Sequence, residues 1–255
     1  MNESPSGPDI GIVILAIGNV IAIALLLSGD ISRIATVTSA WIFMLDMMYA
    51  AILIVYGLLP AIPMGTRSLL CGAHQFLWHP FTVFLGWKEL YGWPNWKECV
   101  CIFVHDWGYW GCPNMEGSEG ERHPELAAKI ASRYLDGKTW SIDSDEVWPN
   151  LNAVMPKDTY RHLCLFHSRT YAKRWSTFPS KLCWADKLSI RWEPWWVYLP
   201  RVWLTGEIRD YRAEAERAGL VDPKATDREW HRWARIRMIQ KAMAQDERPP
   251  YTEGS

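Results

Sequence analysis

The cysteines of this chain form no Cys-X-X-Cys pair. There are six of them, at Cys71, Cys99, Cys101, Cys112, Cys164 and Cys183. A zinc site built from thiolates generally needs clustered pairs, and small secreted domains have a disulfide spacing that is missing here. We therefore expect no zinc–thiolate site, and we expect reduced, mostly buried thiols in a domain on the cytosolic side.

The net charge is small, and charged residues are scarce near the N-terminus. The formal net charge is −1, which gives no electrostatic reason to expect bulk nucleic-acid binding. Residues 1–63 contain only four acidic groups and one basic group, so subtraction from the totals of 28 and 27 leaves 24 acidic and 26 basic residues elsewhere. The remainder has the composition of an ordinary globular domain, and the N-terminal segment does not.

Two long apolar runs lie within residues 1–63. The first, residues 10–28 (IGIVILAIGNVIAIALLLS), has no charge in 19 positions, about the length that crosses the hydrocarbon core of a bilayer. The second, residues 40–62, has Asp46 as its single charge. Because only a short polar link separates them, they predict a transmembrane helical hairpin with membrane lipid as a partner. A cleavable signal peptide is the alternative, but no basic segment precedes the first run.

These features divide the chain into segments. They are an N-terminal tail (1–9), the hairpin (10–63), a helical domain (64–205), C-terminal helices (206–247) and a disordered tail (248–255). We expect a multi-pass membrane protein whose folded domain faces the cytoplasm. The orientation rests on few basic residues, with Arg33 in the link and Arg67 and Lys88 beyond it.

Tryptophan is unusually abundant, with 17 residues. Its ring suits membrane interfaces, aromatic-lined pockets and large cores, and the number alone does not choose among them. Residues 191–203 (RWEPWWVYLPRVW) are therefore expected to line a pocket, to lie on the membrane surface or simply to pack. Residues 227–243 predict a basic amphipathic helix that packs on the domain, with contact to anionic lipid as the alternative.

Beyond residue 63 the apolar spacing is helical, and no alternating pattern of useful length predicts a strand. Apolar residues at three- and four-residue steps predict a core-facing helix over 95–106, with Asn95 as its N-cap and Gly108 ending it. Asp158 and Pro179–Ser180 are expected to begin two later helices. The predicted fold class is all-α.

One helix start allows two capping arrangements. A helix that runs to Gly137 begins either after a capping box formed by Ser118 and Glu121, or with His123 as the cap and Pro124 at the first helical position. In either arrangement the helix carries the sequence PELAAKIASRYL.

Six imidazole and carboxylate side chains lie on or at the edges of the predicted helices, beside apolar neighbours. They are His79, His105, Asp106, His123, His167 and Asp186. Burying such groups is costly unless something satisfies them, and four imidazoles with two carboxylates form a suitable ligand set for divalent Mn, Fe, Co or Zn. A carboxylate can bridge two ions through its two oxygens, whereas an imidazole offers one nitrogen. We therefore expect Asp106 to be the central ligand.

Several of these histidines have alternative structural roles. His105 and Asp106 can form a satisfied pair within a core, and His123 can cap the helix that follows it. His79 competes with His74, five residues earlier, and the residues alone leave that choice open. Two further histidines belong to no motif and are expected at the surface: His162 and His231.

The order of these residues resembles that of the HD superfamily of metal-dependent phosphohydrolases, named for its His–Asp doublet. The resemblance covers residues 70–200 and rests on five segments: HPFTV at 79–83, CIFVHDWG at 101–108, HPELAAKI at 123–130, FHSR at 166–169 and WADKLS at 184–189. A lone His–Asp dipeptide carries almost no information. Five segments in the family's order are far more specific.

The resemblance implies a helical bundle with one or two divalent ions (Mn, Fe, Co, Zn or Mg) at its centre. The ligands implied for one ion are His79, His105, Asp106 and Asp186. The resemblance favours His79 over His74 because Val83 and the helical run to Gly92 match the family better, which leaves His74 as a neighbour of the ligands or a packed side chain. Those implied for a second ion are His123 and His167, with Asp106 bridging. The residues implied for catalysis are Asp106 together with two that contact substrate phosphate, Lys187 and Arg169.

The expected function is a membrane-anchored phosphohydrolase that uses metal-activated water to cleave a small phosphomonoester or phosphodiester, nucleotides included. Two alternatives remain. Some members of the superfamily use the same ligands for oxygen chemistry at a di-iron centre, and the domain can instead be a non-catalytic sensor or scaffold signalling through the hairpin. The specificity of known subfamilies does not transfer: SRTYAKR follows His167 where cyclic-di-GMP phosphodiesterases have Gly-Tyr-Pro, and WGYWGC follows the doublet where alarmone hydrolases have Glu–Asp.

Overall fold

The computed structural model of this chain describes residues 61–115, 117–137 and 159–245. Within those ranges the chain is helical and forms no β-strand, so the predicted all-α fold is confirmed there. The helices, in chain order, are α1 (Met64–Cys71), α2 (Trp78–Tyr91), α3 (Trp96–Val104), α4 (Pro124–Tyr134), α5 (Tyr160–Leu165), α6 (Arg169–Arg174), α7 (Lys181–Ser189), α8 (Trp195–Thr205), α9 (Glu207–Arg217) and α10 (Asp227–Ala244).

Three predicted segments lie wholly or mostly outside the described ranges. They are the N-terminal tail at 1–9, the hairpin at 10–63 up to residue 60, and the C-terminal tail at 248–255. Among the helices that are described, none combines the length and the apolarity needed to cross a bilayer.

A buried apolar core joins α2, α3, α4, α5 and α7. Each helix contributes a side chain that is at most 3 % exposed: Val83, Ile102, Ala128, Leu165 and Leu182 respectively. Full burial of a Val, Ile or Leu side chain contributes about 1.5–3 kcal/mol. Helix α2 packs along α7, and α4 packs along α5. This core therefore holds together the helices whose ends carry the predicted ligands.

Helix α3 begins as the sequence predicts. The Asn95 side chain accepts hydrogen bonds from the backbone N–H groups of Lys97 and Glu98, at 2.9 and 3.0 Å. In return the Glu98 carboxylate accepts the Asn95 backbone N–H at 2.7 Å, which completes a capping box. The helix ends at Val104, directly before the His–Asp doublet.

Helix α4 begins at Pro124 with His123 at its N-cap position, so the second of the two predicted arrangements is confirmed and the first is not. The predicted capping box is wrong, because the Glu121 backbone N–H donates to the Gly117 carbonyl at 2.9 Å and the Ser118 hydroxyl donates to the Glu119 carboxylate at 2.8 Å. His123 occupies the N-cap position, yet its ring bonds the Gly120 carbonyl and makes no capping hydrogen bond. That contact uses Nδ1, so Nε2 of the His123 ring remains available for another role.

The next two predicted helix starts are correct to within one residue. Helix α5 is capped by the Thr159 hydroxyl, which accepts the backbone N–H of His162 at 3.1 Å, and not by the predicted Asp158. Ser180 precedes α7 as predicted, although its hydroxyl donates to the Leu163 carbonyl at 2.8 Å instead of capping the helix.

A buried polar network fixes the turn between α1 and α2. The Glu207 carboxylate accepts the Ser68 hydroxyl at 2.5 Å. The Arg201 guanidinium pairs with Glu193 at 3.2 Å and also donates to the Gly72 carbonyl. All four of these side chains are buried, and removing one partner of a buried charge pair is strongly destabilising. The turn that leads into α2 is therefore held firmly by α8 and α9.

The three C-terminal helices share a second apolar cluster. It contains Leu199 of α8, Ile208 of α9, and Trp230 and Ala234 of α10. Helix α10 is the predicted basic helix at 227–243, and it packs against α7. Packing on the domain was the first of the two predicted roles for this helix.

Predictions about individual side chains have mixed outcomes. All six cysteines are free, and four of them are buried, as predicted: Cys71, Cys101, Cys164 and Cys183. The predicted exposure of His162 and His231 is wrong, because they are only 6 % and 3 % exposed. Each ring packs against an aromatic neighbour: His162 on Phe166 with centroids 4.8 Å apart, and His231 on Tyr198 at 5.0 Å.

Candidate metal centre

The six predicted ligands converge on one place in the fold. Five of them line a cavity of about 570 Å³: His79, Asp106, His123, His167 and Asp186. The sixth, His105, is fully buried, and its Nε2 lies 3.1 Å from Oδ2 of Asp106. Side chains that are far apart in the sequence are thus brought within contact distance.

Most of these residues stand at helix ends. His79 is in the first turn of α2, and Asp106 follows α3 after a one-residue cap. His123 directly precedes α4, and His167 lies between α5 and α6. The exception is Asp186, which is in the interior of α7. Helix ends aimed at a common centre allow short side chains from separate helices to meet there.

A first group of donor atoms surrounds one oxygen of Asp106. Nε2 of His79 and Nε2 of His105 each lie 3.1 Å from Asp106 Oδ2. Donor atoms of these three residues all lie within 4.8 Å of one another. Asp186 joins them through His79, whose Nε2 is 3.2 Å from Asp186 Oδ1.

A second group surrounds the other oxygen of the same carboxylate. Nε2 of His123 and Nε2 of His167 lie 3.6 and 3.3 Å from Asp106 Oδ1. These two nitrogens are 3.0 Å from each other, and the three residues again have donor atoms within 4.8 Å. Asp106 therefore faces a separate pair of imidazoles with each of its oxygens.

Three of the histidines are held by the same local contact. Nδ1 of His105 lies 2.7 Å from the Ile102 carbonyl, and Nδ1 of His167 lies 2.5 Å from the Cys164 carbonyl. His123 makes the equivalent contact with Gly120 at 2.7 Å. Each carbonyl is three residues earlier and can only accept, so Nδ1 must carry the hydrogen. In the neutral ring this tautomer leaves a lone pair on Nε2, and that nitrogen can bind a metal.

In neutral rings the facing lone pairs of these histidines are compatible with a bound cation. Nε2 of His123 and Nε2 of His167 are both acceptors, and two acceptors 3.0 Å apart cannot hydrogen-bond each other. Nε2 of His79, Nε2 of His105 and Oδ2 of Asp106 are also buried without an aligned hydrogen bond among the described residues. Leaving such groups unsatisfied costs about 1–3 kcal/mol each. A cation between the donors satisfies all of them.

The separations between donor atoms fit the same conclusion. Ligand atoms bound to one ion at about 2.1 Å, with angles between 90° and 109°, lie about 3.0–3.4 Å apart. The observed spacings around Asp106 run from 3.0 to 3.6 Å. Imidazole nitrogen with carboxylate oxygen is a donor set for borderline divalent cations. The residues present therefore fit a divalent metal at each group.

The electrostatics of the two groups differ. Burial lowers the pKa of His79, but the carboxylates of Asp106 and Asp186 outweigh burial and raise the pKa to about 10. Burial also lowers the pKa of His123, and the neighbouring His167 lowers it further, to about 3. A cation must therefore displace a proton from His79, whereas His123 is already neutral and ready to bind.

The two residues predicted to contact phosphate, Lys187 and Arg169, both line the cavity. Lys187 Nζ lies 3.8 Å from Asp186 Oδ2. Arg169 follows His167 by two positions at the start of α6, and its buried Nε has no hydrogen-bond partner among the described residues. Two cations therefore stand beside the donor groups.

His74 lines the cavity without belonging to a donor group. Its Nδ1 lies 2.9 Å from the Ser68 hydroxyl, and its ring meets the ring of His79 edge-on, with centroids 5.2 Å apart. The preference for His79 over His74 thus agrees with the geometry, and His74 is a packed neighbour of the ligands.

Two basic residues of the cavity wall, Arg237 and Lys241, were missed at the level of sequence. They extend the row that begins with Trp230 and Ala234 on α10, at steps of four, three and four residues. Positions with that spacing share one face of a helix. The sequence could have indicated their role, because Arg237 and Lys241 lie on the same helix face as the apolar residues Trp230 and Ala234, which is the face expected to point inward.

No family model, curated protein or solved structure matches this chain. Its function is therefore inferred from the side chains that meet at Asp106 and along the cavity.

Proposed function

We propose that this protein is a metal-dependent phosphohydrolase of the HD type, with Asp106 shared between two divalent ions. One observation carries the proposal: Asp106 Oδ2 faces His79 and His105, while Oδ1 faces His123 and His167. A carboxylate with each oxygen turned to its own pair of imidazoles is suited to bridging two ions. Two-metal sites of this kind serve displacement at phosphorus.

The chain's own residues supply position and charge for such a reaction. Bound divalent ions provide Lewis acidity, which lowers the pKa of water and neutralises charge on a phosphate. Lys187 and Arg169 stand where they can bind non-bridging phosphate oxygens, the guanidinium through two parallel N–H groups. Burial raises the pKa of Asp106, but His105 and His74 outweigh it and hold the pKa well below its usual value. Asp106 therefore stays ionised, as a ligand must.

The cavity suits a small phosphorylated substrate. Its volume of about 570 Å³ is within the usual range for sites that bind small organic molecules. Beyond the basic residues, its walls include Tyr198, Trp230 and Trp233, which offer apolar contact to an organic group. A phosphomonoester or phosphodiester with such a group, nucleotides included, matches both the charge and the apolar surface.

We also propose that the hairpin at 10–63 anchors this domain on the cytoplasmic side of a membrane. The uncharged run at 10–28 supports the anchor, and six free thiols are compatible with a reducing compartment. After cell lysis the full chain should stay with membranes through carbonate washing. Release of the intact chain into the soluble fraction would contradict this part of the proposal.

The enzymatic proposal is tested with the purified full chain. With added Mn²⁺ or Co²⁺ it should hydrolyse p-nitrophenyl phosphate or bis-p-nitrophenyl phosphate, and activity should be lost on chelation. Asp106→Ala should lower turnover by at least about a thousandfold, since it removes a ligand common to both ions. Asp106→Asn keeps the size of the side chain and serves if the alanine variant does not fold. Asp222→Asn, on the exposed surface, is the matched control and should keep full turnover.

Two results would contradict the proposal. Full turnover by folded Asp106→Ala protein would show that hydrolysis does not depend on Asp106 as a shared metal ligand. Iron-dependent oxygen consumption without phosphoester hydrolysis would instead favour the di-iron oxygenase, which uses the same ligand set.

A further inference from the structure

The inward face of α10 is apolar in its first half and basic in its second half. Trp230 and Ala234 are 4 % and 3 % exposed and belong to an apolar cluster. The next two positions of the same row are Arg237 and Lys241, both half-buried and both lining the cavity. Placing two cations where a packed helix would carry apolar residues costs free energy unless an anion compensates it.

The electrostatic surroundings make this cost larger. Burial lowers the pKa of Lys241, and the nearby charges of Arg169, Arg237 and Lys187 lower it further, to about 8. Arg169, Arg237 and Lys187 therefore all lie close enough to Lys241 to repel its charge. Such a concentration of like charge is unfavourable for the protein alone and favourable for binding a multiply charged anion.

The carboxylates that line the cavity form no ion pair with Arg237 or Lys241 among the described residues, although Asp186 partly neutralises Lys187 at 3.8 Å and Glu214 also lines the cavity. Glu121 pairs with Arg174 at 2.9 Å, and Glu193 pairs with Arg201 at 3.2 Å. Within the described ranges, no ion pair joins a carboxylate to Lys241. The positive charge of α10 thus remains available to a ligand.

The four cations belong to different parts of the site. Lys187 directly follows Asp186, and Arg169 is two positions after His167, so both lie beside the metal-ligand groups. Arg237 and Lys241 come from a separate helix with no predicted ligand. Lys187 and Arg169 can bind a phosphate held at the metal-ligand groups. Arg237 and Lys241 are then available to bind a second anionic group.

We propose that Arg237 and Lys241 bind a second phosphate of the substrate, so that the substrate class is a bisphosphate or diphosphate ester and not a simple monophosphate. This inference rests on the proposed function for the identity of the reacting phosphate. It adds a specificity-determining pair on α10 to the residues expected from the sequence.

Binding without turnover gives the first test. The full chain, freed of metal by chelation, is titrated calorimetrically with inorganic phosphate and with pyrophosphate. Pyrophosphate should bind at least about tenfold more tightly, equivalent to about 1.4 kcal/mol. Lys241→Met and Arg237→Met should each reduce that preference several-fold. Arg232→Met, an exposed residue of the same helix outside the cavity lining, is the matched control and should retain it.

Kinetics with Mn²⁺ give the second test. The ratio of kcat/KM for a nucleoside 5′-diphosphate to that for the matching 5′-monophosphate should exceed one in the wild-type protein. Lys241→Met should lower this ratio about tenfold, mainly through KM of the diphosphate. A nucleoside 3′,5′-bisphosphate, assayed alongside, shows whether the second phosphate is adjacent to the first or separated from it.

The two proposals can fail separately. Loss of the pyrophosphate preference in Lys241→Met, with no hydrolysis by any metal-loaded protein, would support this inference and overturn the proposed function. Hydrolysis with unchanged preference and unchanged kinetic ratios in both α10 variants would support the proposed function and overturn this inference.

Discussion

The ring of Tyr109 stacks on the ring of His123, with centroids 3.9 Å apart and an interplanar angle of 15°. The backbone of Gly108 also packs closely against the backbone of His123, because a Cβ on Gly108 would lie 2.0 Å from the His123 carbonyl oxygen. The segment after the His–Asp doublet thus packs directly on the segment that carries His123. This contact sets the position from which Nε2 of His123 reaches His167, 3.0 Å away.

The first prediction concerns Gly108→Ala. The added methyl group has no room against the His123 backbone, so His123 must move, and forced overpacking of this kind costs about 1–3 kcal/mol. We expect the affinity for the ion at His123 and His167 to fall at least tenfold, since a tenfold loss corresponds to about 1.4 kcal/mol, within the range of that packing cost. Metal content after dialysis and the midpoint of thermal unfolding measure both effects.

Gly137→Ala is the control for Gly108→Ala. Gly137 has φ +65°, and a Cβ there meets no other atom within 4 Å. The substitution should cost about 1–2 kcal/mol through backbone strain alone and should leave the metal content unchanged. Equal metal content in both alanine variants would show that the contact at Gly108 does not position His123.

The local parts of the site were predictable from sequence because they depend on short-range patterns. The Asn95 cap and the apolar spacing up to Val104 place the His–Asp doublet at the end of α3, as observed. The capping box at Ser118 is absent because the Glu121 backbone N–H that it needs donates to the Gly117 carbonyl at 2.9 Å. A helix start predicted from capping residues is thus readily overridden by a competing backbone hydrogen bond.

Side chains that tertiary packing buries or brings to the cavity, and that belong to no motif, were not predictable. His162 is buried against Phe166, and His231 against Tyr198, although neither belongs to a motif. Lys241 reaches the cavity only because α10 packs along α7, and that pairing of helices has no local signature. Residues that enter a site from a distant helix require the fold before they can be assigned.

The second prediction separates the two ion positions. His167→Gln removes the nitrogen that faces Asp106 Oδ1 at 3.3 Å and leaves the group around Oδ2 intact. Elemental analysis should therefore find two divalent ions per wild-type chain and one per variant chain, in line with the loss expected when one ligand of a site is removed. Residual activity should fall by about two orders of magnitude or more.

His162→Gln is the matched control, since His162 is also buried, at 6 % exposure against 3 % for His167, and does not line the cavity. It should lose some stability and keep both ions. The prediction is wrong if the two glutamine variants contain the same amount of metal.

The third prediction is a pH dependence that originates at His79. In the metal-free protein the pKa of His79 is about 10, above its ordinary value of 6.5, because Asp106 and Asp186 outweigh the effect of burial. The folded state therefore binds more protons than the unfolded state between those values, and the resulting stability is complete below pH 6.5 and declines as the pH rises to 10. We expect the midpoint of thermal unfolding of chelator-treated protein to fall by several degrees between pH 6.5 and pH 10.

Two controls test the origin of this decline. With saturating Mn²⁺ the cation replaces the proton, so the decline should disappear. Metal-free His79→Gln protein should show no decline arising at this position. Parallel pH profiles for metal-free wild-type and His79→Gln proteins would mean that His79 does not hold a proton between the two carboxylates.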